Sequence, residues 1–204
     1  KIKQKLTFDL MHAMIKYIPT EEDNIIVIAA EREKIDRHLA IYERANLQIE
    51  STGVWPVAMA NSYARLLGRR KMDLQAVVML IDIKSNSTNV VISRHKNPLF
   101  ARSIPVGARQ LGINEMISRL VMELVACKKH FGQMYRNIEI ERLIFLSGRV
   151  VEKETYTTLA KQLEMPAQMG DCLTAVEATN IYELGIDRRA SQFSWAIAFG
   201  LALP

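Results

Sequence analysis

The sequence has few cysteines and no long apolar run. Only two cysteines, Cys127 and Cys172, occur in 204 residues, which is too few for a disulfide scaffold or, unaided, for a four-ligand zinc site. A reducing compartment is the plain interpretation. No stretch approaches the roughly 18 to 20 apolar residues of a membrane-spanning helix, and no signal-peptide pattern opens the chain. Any attachment to a membrane is therefore expected to come through another molecule.

The chain also has little excess of either charge. It carries 27 basic and 22 acidic side chains, a net charge of +5 that is spread along the sequence. This excess permits weak attraction to nucleic acid but does not require it. The short basic runs at 69–71 and 128–129 have no aromatic residues between them, so no nucleic-acid partner is predicted. With 49% hydrophobic residues, the composition is globular and excludes intrinsic disorder.

Motifs of enzyme chemistry are equally sparse. The sequence contains no nucleophile elbow and no Ser-His-Asp order. Cys127 and His130 are three residues apart on a predicted helix, and a core thiol beside a surface histidine explains them better than half a metal site does. No catalytic residue is predicted.

Hydrophobic periodicity predicts an α/β chain rather than a helix bundle or a β-sandwich, because three strands are followed by alternating helices and strands. Pro56 suits the start of a helix. The basic break at 68–71 is the predicted domain boundary. The predicted helices cover 4–18, 31–46, 57–67, about twenty residues through 130, 151–163, 174–184 and 195–203, and the predicted strands cover 24–30, 47–51, 76–83, 88–93, 99–104 and 143–146.

The three-stranded antiparallel meander between 76 and 104 is the most informative segment. Asp82 ends its first strand, residues 84–87 form a polar turn, and Thr88 opens the return strand. Such a turn directs backbone N–H groups and hydroxyls at one point, where they could donate hydrogen bonds to a phosphate chain. The aspartate could hold a magnesium-bound water. Polar hairpin turns are common, so a solvated turn remains the more frequent interpretation of this pattern alone.

The order of segments around this turn resembles the actin, sugar-kinase and Hsp70 superfamily. Residues 80–89 are similar to its second phosphate motif, 104–107 to the turn after its third strand, 143–148 to its adenosine strand and loop, and 191–202 to its closing helix. Within the superfamily, the chain most resembles the type IV pilus assembly protein PilM family. That resemblance also includes the segments 8–19 and 25–46.

The resemblance implies an α/β fold of actin-like, ribonuclease H-like lobes, with the first lobe incomplete and the second carrying a reduced inserted subdomain. Residues 1–51 would be the small inserted subdomain of the first lobe, 52–71 its remaining helix and the hinge, and 72–204 the second lobe. The chain begins with Lys1 rather than Met, so we expect a fragment or a trimmed start. The first phosphate hairpin of the family is then expected upstream.

A nucleotide site is also implied by the resemblance, with ATP and magnesium as its cofactors if it is retained. Asp82 would position the magnesium ion, the turn would hold phosphates, and the loop after the strand at 143–146 would lie under the base. The implied residues are Asp82, Ser85, Ser87, Thr88, Gly107, Ser147, Gly148 and Arg149.

Several departures from the family pattern predict that this nucleotide site is degenerate. Lys84 replaces the usual glycine after the strand, where a solvated lysine is favoured over a phosphate ligand. Arg149 replaces a second glycine. Its side chain could stack on a base, fill the base pocket or face water, and the sequence does not decide between these positions. Val125 and Ala126 stand where arginines would contact adenine, and the subdomain that covers the nucleotide is missing or vestigial. We therefore expect weak or lost ATP binding, and a non-enzyme more than an enzyme.

The function implied is a cytoplasmic scaffold, peripheral to the inner membrane, in a type IV pilus or related secretion assembly. It would dock the short cytoplasmic tail of a PilN-like membrane protein in a groove of the first lobe, and self-association is left open. The alternatives are a working actin-like ATPase and a domain of a sugar-kinase-like enzyme.

Overall fold

The computed structural model describes residues 6–68, 70–147, 151–170 and 194–203. The chain divides into two compact units, Lys1–Gly53 and Val54–Pro204. Within the described residues, no helix is both long enough and apolar enough to cross a membrane. The helix predicted at 174–184 lies outside the described residues.

The first unit is a β-hairpin followed by one helix. Strands β1 (Ala13–Pro19) and β2 (Ile25–Glu31) pair antiparallel, with Ala13 opposite Glu31 and Pro19 opposite Ile25. Helix α1 (Arg32–Arg44) follows directly. A 3-10 turn (Leu10–His12) precedes β1, and the Asp9 side chain accepts a hydrogen bond from the Met11 N–H at 3.1 Å. The predicted strand at 24–30 and helix at 31–46 are thus confirmed, although β2 is half-buried rather than buried.

Two predictions in this unit are wrong. The helix predicted at 4–18 is a 3-10 turn and strand β1, because its apolar residues also alternate and β2 supplies a complete ladder of backbone partners; residues 4–5 lie outside the described chain. The strand predicted at 47–51 does not form. Asn46 has a positive φ of 54°, and the Leu47 N–H bonds the Tyr42 carbonyl at 3.0 Å. This Schellman-type arrangement makes Leu47 part of the end of α1.

The second unit is built on a five-stranded mixed sheet. Its strands are β3 (Val77–Ile83), β4 (Thr88–Arg94), β5 (Asn97–Ile104), β6 (Arg142–Phe145) and β7 (Ala167–Met169), and their order in the sheet is β5-β4-β3-β6-β7. The first three strands along the chain form the predicted antiparallel meander, and β6 and β7 add parallel to β3. The short strand β7 and the short helix α3 (Lys71–Gln75), which precedes β3, were not predicted.

Four helices cover the two faces of this sheet: α2 (Trp55–Leu66), α4 (Asn114–Met134), α5 (Lys153–Gln162) and α6 (Ala196–Leu201). Because the side chains of a strand alternate between its faces, each strand contributes to the core on both sides. Val77, Met79 and Ile81 belong to the core that includes residues of α4 and α5, whereas Val78 and Leu80 belong to the core that includes residues of α2 and α6. The predicted helices in the described part of this unit are confirmed within a few residues.

The boundary between the compact units is not at 68–71, where the sequence predicted it. Helix α2 belongs to the second unit because it packs closely on α6: a Cβ at Gly200 would lie 1.8 Å from the Ala58 carbonyl oxygen, and the Ser62 hydroxyl donates to the Ala196 carbonyl. Residues 52–53 alone of the predicted 52–71 segment fall in the first unit. The assignment of the units to lobes stays a prediction.

The connection between β5 and α4 is short. It consists of residues 105–113, which contain one 3-10 turn (Ala108–Gln110). No subdomain is inserted at this point, in agreement with the predicted reduction of the second lobe.

Candidate functional site

Asp82 lies at the end of β3, beside β6, and its side chain is fully buried. Among the described residues, no donor forms a hydrogen bond with either carboxylate oxygen. Burial raises the pKa of this carboxyl group, and the Ser194 hydroxyl and the Lys84 ammonium act in the opposite direction. Ser194 has one proton to donate and directs it to the Leu146 carbonyl at 3.3 Å. The carboxylate is therefore a buried acceptor whose partner would have to come from a ligand or from outside the described chain.

The hairpin turn after Asp82 is held in place from behind by the segment that follows β5. The Ala108 N–H bonds the Lys84 carbonyl at 2.8 Å, and the Arg109 N–H bonds the Ser85 carbonyl at 3.1 Å. A Cβ at Gly107 would lie 2.4 Å from the Ser87 nitrogen. Gly107 is thus needed for the close approach of two backbone segments, and its role in the structure is to pack against the turn.

Two of the predicted ligand residues are committed to internal hydrogen bonds. The Thr88 hydroxyl is buried and donates to the Val106 carbonyl at 2.7 Å. The Ser147 hydroxyl is buried and accepts from the Ile83 N–H at 2.5 Å. Both side chains join neighbouring strands or loops at this end of the sheet, so they support the site rather than line it.

Ser85 and Ser87 are the predicted phosphate ligands that stay available. Ser85 is exposed and Ser87 half-buried, and neither hydroxyl bonds another described residue. Lys84 is exposed, in agreement with the solvated lysine favoured by the sequence. Gly148 and Arg149 lie outside the described residues. Of the loop that was predicted to lie under the nucleotide base, only Ser147 belongs to the described chain.

Sequence reasoning missed Tyr156, a buried residue of α5. Burial raises the pKa of its phenol; hydrogen bonding with Ser147 and with the Val151 backbone lowers that pKa, and the nearby Asp82 charge raises it. Tyr156 therefore belongs to the polar cluster around Asp82. Its helical spacing with Leu159 and Leu163 marks it as a core residue, but no local signal places it beside a strand-end aspartate.

The site partly fits magnesium and a phosphate chain. Asp82 has two unmatched oxygens and the turn offers two serine hydroxyls, which is the right chemistry for a magnesium-bound water and for phosphate. Asp82 would hold the ion through water, and the ion would neutralise phosphate charge. In the described part of the chain, no group of three or more His, Cys, Asp or Glu side chains forms a metal site by itself.

A second polar cluster lies at the opposite end of β3 and β6. Arg142 donates to Asp73 of α3 at 2.5 Å and to the Tyr63 hydroxyl of α2 at 3.3 Å. The hydrogen bond from Arg142 lowers the pKa of Asp73, and burial raises the pKa of Tyr63. This cluster ties α2, α3 and β6 together, and it lies at the ends of β3 and β6 that are opposite to Asp82.

Cys127 and His130 have the surroundings that the sequence favoured, a core thiol beside a surface histidine. Cys127 is buried in the core under α4, whereas His130 is exposed and its ring contacts that of Phe100, with centroids 5.6 Å apart.

An α/β unit with an antiparallel meander, parallel strands added beside it and an aspartate at the end of its first strand is an actin-like domain, as the sequence resemblance predicted. The family model for type IV pilus assembly protein PilM matches residues 4–143. The chain therefore belongs to the PilM family. A search of curated proteins found no match.

The chain is also similar in fold to chains of solved structures. A structure described as a PilM–PilN type IV pilus biogenesis complex contains a chain similar to this one with a TM-score of 0.70 at 18% identity, over 98% of this chain and 68% of that one. Two further structures are less similar. One is a Bacteroides thetaiotaomicron protein with an actin-like ATPase fold and unknown function, with a TM-score of 0.45 at 14% identity over 85% of this chain and 61% of that one. The other is MreB5 of Spiroplasma citri bound to ADP, with a TM-score of 0.45 at 8% identity over 93% of this chain and 87% of that one.

Proposed function

We propose that this PilM-family chain is a cytoplasmic scaffold of a type IV pilus or related secretion assembly. It docks the short cytoplasmic tail of a PilN-like inner-membrane protein and binds ATP weakly or not at all. The observation that carries the proposal is the family match over residues 4–143, together with the similarity to a chain of a PilM–PilN complex. The protein reaches the membrane through this partner.

The first unit offers a surface suited to an extended peptide. In its two-stranded sheet, β1 and β2 have only each other as partners among the described strands. Ile15 and Tyr17 lie on the same face of the hairpin as Ile25, because Tyr17 pairs with Val27 and Pro19 with Ile25. Tyr17 is 68% exposed and Ile25 55%. A tail that adds a strand to a free edge would gain backbone hydrogen bonds, and this face would give it apolar contacts.

A binding titration tests this docking face. The cytoplasmic tail peptide of a PilN-like protein is titrated into the whole chain and into Tyr17→Glu, which puts a charge on the face without touching the core. We expect the wild type to bind and the variant to bind at least about tenfold more weakly, the effect of desolvating one charge at an apolar contact. Met72→Glu, at a highly exposed residue of α3, should bind as the wild type does. Equal affinity of Tyr17→Glu and wild type would remove this face from the proposal.

Weak nucleotide binding is supported by the state of the predicted ligands. Thr88 and Ser147 use their hydroxyls internally, Gly107 packs against the turn, and no inserted subdomain follows β5. Only Asp82, Ser85 and Ser87 keep free groups among the described ligands. The incomplete set offers few of the contacts that a triphosphate needs.

The second candidate is a working ATPase, which the unmatched carboxylate of Asp82 favours. Calorimetric titration with Mg-ATP separates the two candidates. The scaffold proposal expects no binding at micromolar nucleotide. Micromolar affinity that disappears in Asp82→Ala would instead establish a functional nucleotide site.

A further inference from the structure

Helix α4 has an exposed face centred on Met122, opposite the face that packs on the sheet. Met122 is 66% exposed and Val125 45%, whereas Leu120, Leu124 and Cys127 are buried beneath the helix. Because 3.6 residues make one turn, residues three, four and seven away from Met122 share its face. The members of this α4 face, all exposed, are Glu115, Ser118, Arg119, Met122, Val125, Ala126 and Lys129.

Charges on the α4 face are arranged with opposite signs at equal distances from Met122. Glu115 lies seven residues before it and Lys129 seven residues after it, which places each about 10.5 Å from it along the axis at 1.5 Å per residue. If a second α4 packs antiparallel on the first with Met122 at the centre, each Glu115 meets Lys129 of the partner subunit. A parallel arrangement would place like charges side by side.

The rim of the face has the same complementarity. Arg119 and Glu123 lie on one side of α4, three residues before Met122 and one residue after it. In the antiparallel arrangement, Arg119 comes near Glu123 of the partner subunit. Within its own chain, Glu123 already accepts from Arg102 of β5 at 2.7 Å, so its carboxylate is held in place at the edge of the face.

The shape of the face also suits a close helix pair. Ser118 and Ala126 are small, and they flank Met122 at four residues on either side, where they permit a short distance between helix axes. A groove of about 560 Å³ runs beside Met122, between α4 and Arg102, and it is lined by residues of the same helix. Side chains of an opposing helix would fill it.

We propose that α4 of one molecule pairs with α4 of a second copy, antiparallel, about a two-fold axis through Met122. The occupant is a second copy because the face is complementary to itself, as the isologous interface of a symmetric dimer requires. One helix pair buries less area than a standard interface, so the dimer dissociates reversibly on dilution. The α4 face includes Val125 and Ala126, which the resemblance places on the adenine side of the predicted nucleotide site, so the pairing is consistent with weak or lost nucleotide binding. The inference does not depend on tail docking.

Sedimentation velocity of the whole chain over a range of concentrations tests the pairing. We expect a monomer–dimer equilibrium that weakens as salt is raised, because four ion pairs contribute to it. Met122→Glu places two carboxylates together on the axis and should leave only monomer. Lys128→Glu, on the same helix but off the α4 face, should dimerise as the wild type does; circular dichroism confirms that each variant folds.

Charge reversal makes the test specific to the antiparallel arrangement. Either Glu115→Lys or Lys129→Glu alone turns both symmetry-related ion pairs into pairs of like charge. Each single variant should weaken the dimer about tenfold, as expected for the loss of two exposed ion pairs. The double variant exchanges the charges and should regain the affinity of the wild type. A chain that is monomeric at all concentrations, a dimer that survives Met122→Glu, or a double variant as weak as the single ones would each overturn the proposal.

Discussion

Among individual residues, the structure separates polar side chains that hold the fold from polar side chains that face a ligand. In the sequence, nothing distinguishes the hydroxyls of Thr88 and Ser147 from those of Ser85 and Ser87. In the structure, the first two are buried and hydrogen-bonded to the backbone of residues distant in sequence. Asp82 differs from all of them because it is buried and unmatched in the described chain. Its environment, rather than its position in a motif, makes it the residue with the clearest consequence for stability.

Replacing Asp82 with Asn should stabilise the protein at neutral pH. Because burial raises the pKa of Asp82, the folded chain still binds a proton at pH values between the ordinary and the raised pKa, where the unfolded chain has lost it. Stability therefore falls as pH rises through that range and stays lower above it. The amide carries no charge to desolvate. In urea titrations with EDTA, we expect a higher midpoint for Asp82→Asn at pH 7 to 8, and a difference that shrinks towards the ordinary aspartate pKa of about 4. A lower midpoint at neutral pH would contradict an unpaired Asp82.

Gly107→Ala should destabilise the hairpin turn. The added Cβ would lie 2.4 Å from the Ser87 nitrogen, so the two backbone segments must separate, at a cost of about 1–3 kcal/mol for overpacking. Gly112→Ala is the control, because a Cβ there meets nothing within 4 Å. Chemical denaturation of both variants checks the difference, and equal midpoints would show that the turn is looser than described.

For helices and strands, the sequence predicts most of the second unit and less of the first. The strands of the meander are long, apolar and separated by tight turns, so their period is unambiguous. The segment at 4–18 fits a helical period through Leu10, Met14 and Ile18, and only its pairing with β2 decides for a strand. Contacts such as Thr88 with Val106 join residues 18 apart, and no local pattern encodes them.

The cluster of Arg142, Asp73 and Tyr63 should contribute to the cohesion of α2, α3 and β6. Arg142→Ala leaves Asp73 without its main partner, so we expect a loss of about 1–3 kcal/mol in the free energy of unfolding at neutral pH. Because Arg142 lowers the pKa of Asp73, the stabilisation is present above the ordinary aspartate pKa and is lost as pH falls through the lowered one.

Urea denaturation at two pH values checks this account of the cluster. The gap between wild type and Arg142→Ala should be large at pH 7 and small in acid. Arg136→Ala, at an exposed arginine, should show no gap at either pH. A gap that does not depend on pH would mean that Arg142 acts through packing alone.

At the scale of the whole molecule, three surfaces are proposed to have different partners. The hairpin face of the first unit is proposed to receive a tail, the α4 face a second copy, and the turn after Asp82 little or no nucleotide. Sequence resemblance predicted the family, which the family match confirms, but a self-complementary helix face becomes visible only when exposure is known. The division at Gly53 also required the structure, since the polar break at 68–71 gave the stronger sequence signal.

The central claim is that the chain docks a membrane partner's tail without the help of nucleotide. The most direct test is the affinity of the whole chain for the cytoplasmic tail peptide of a PilN-like protein, measured by calorimetry with and without Mg-ATP. The account predicts binding with the same dissociation constant in both conditions. Absence of binding, or binding that requires Mg-ATP and is lost in Asp82→Ala, would contradict it.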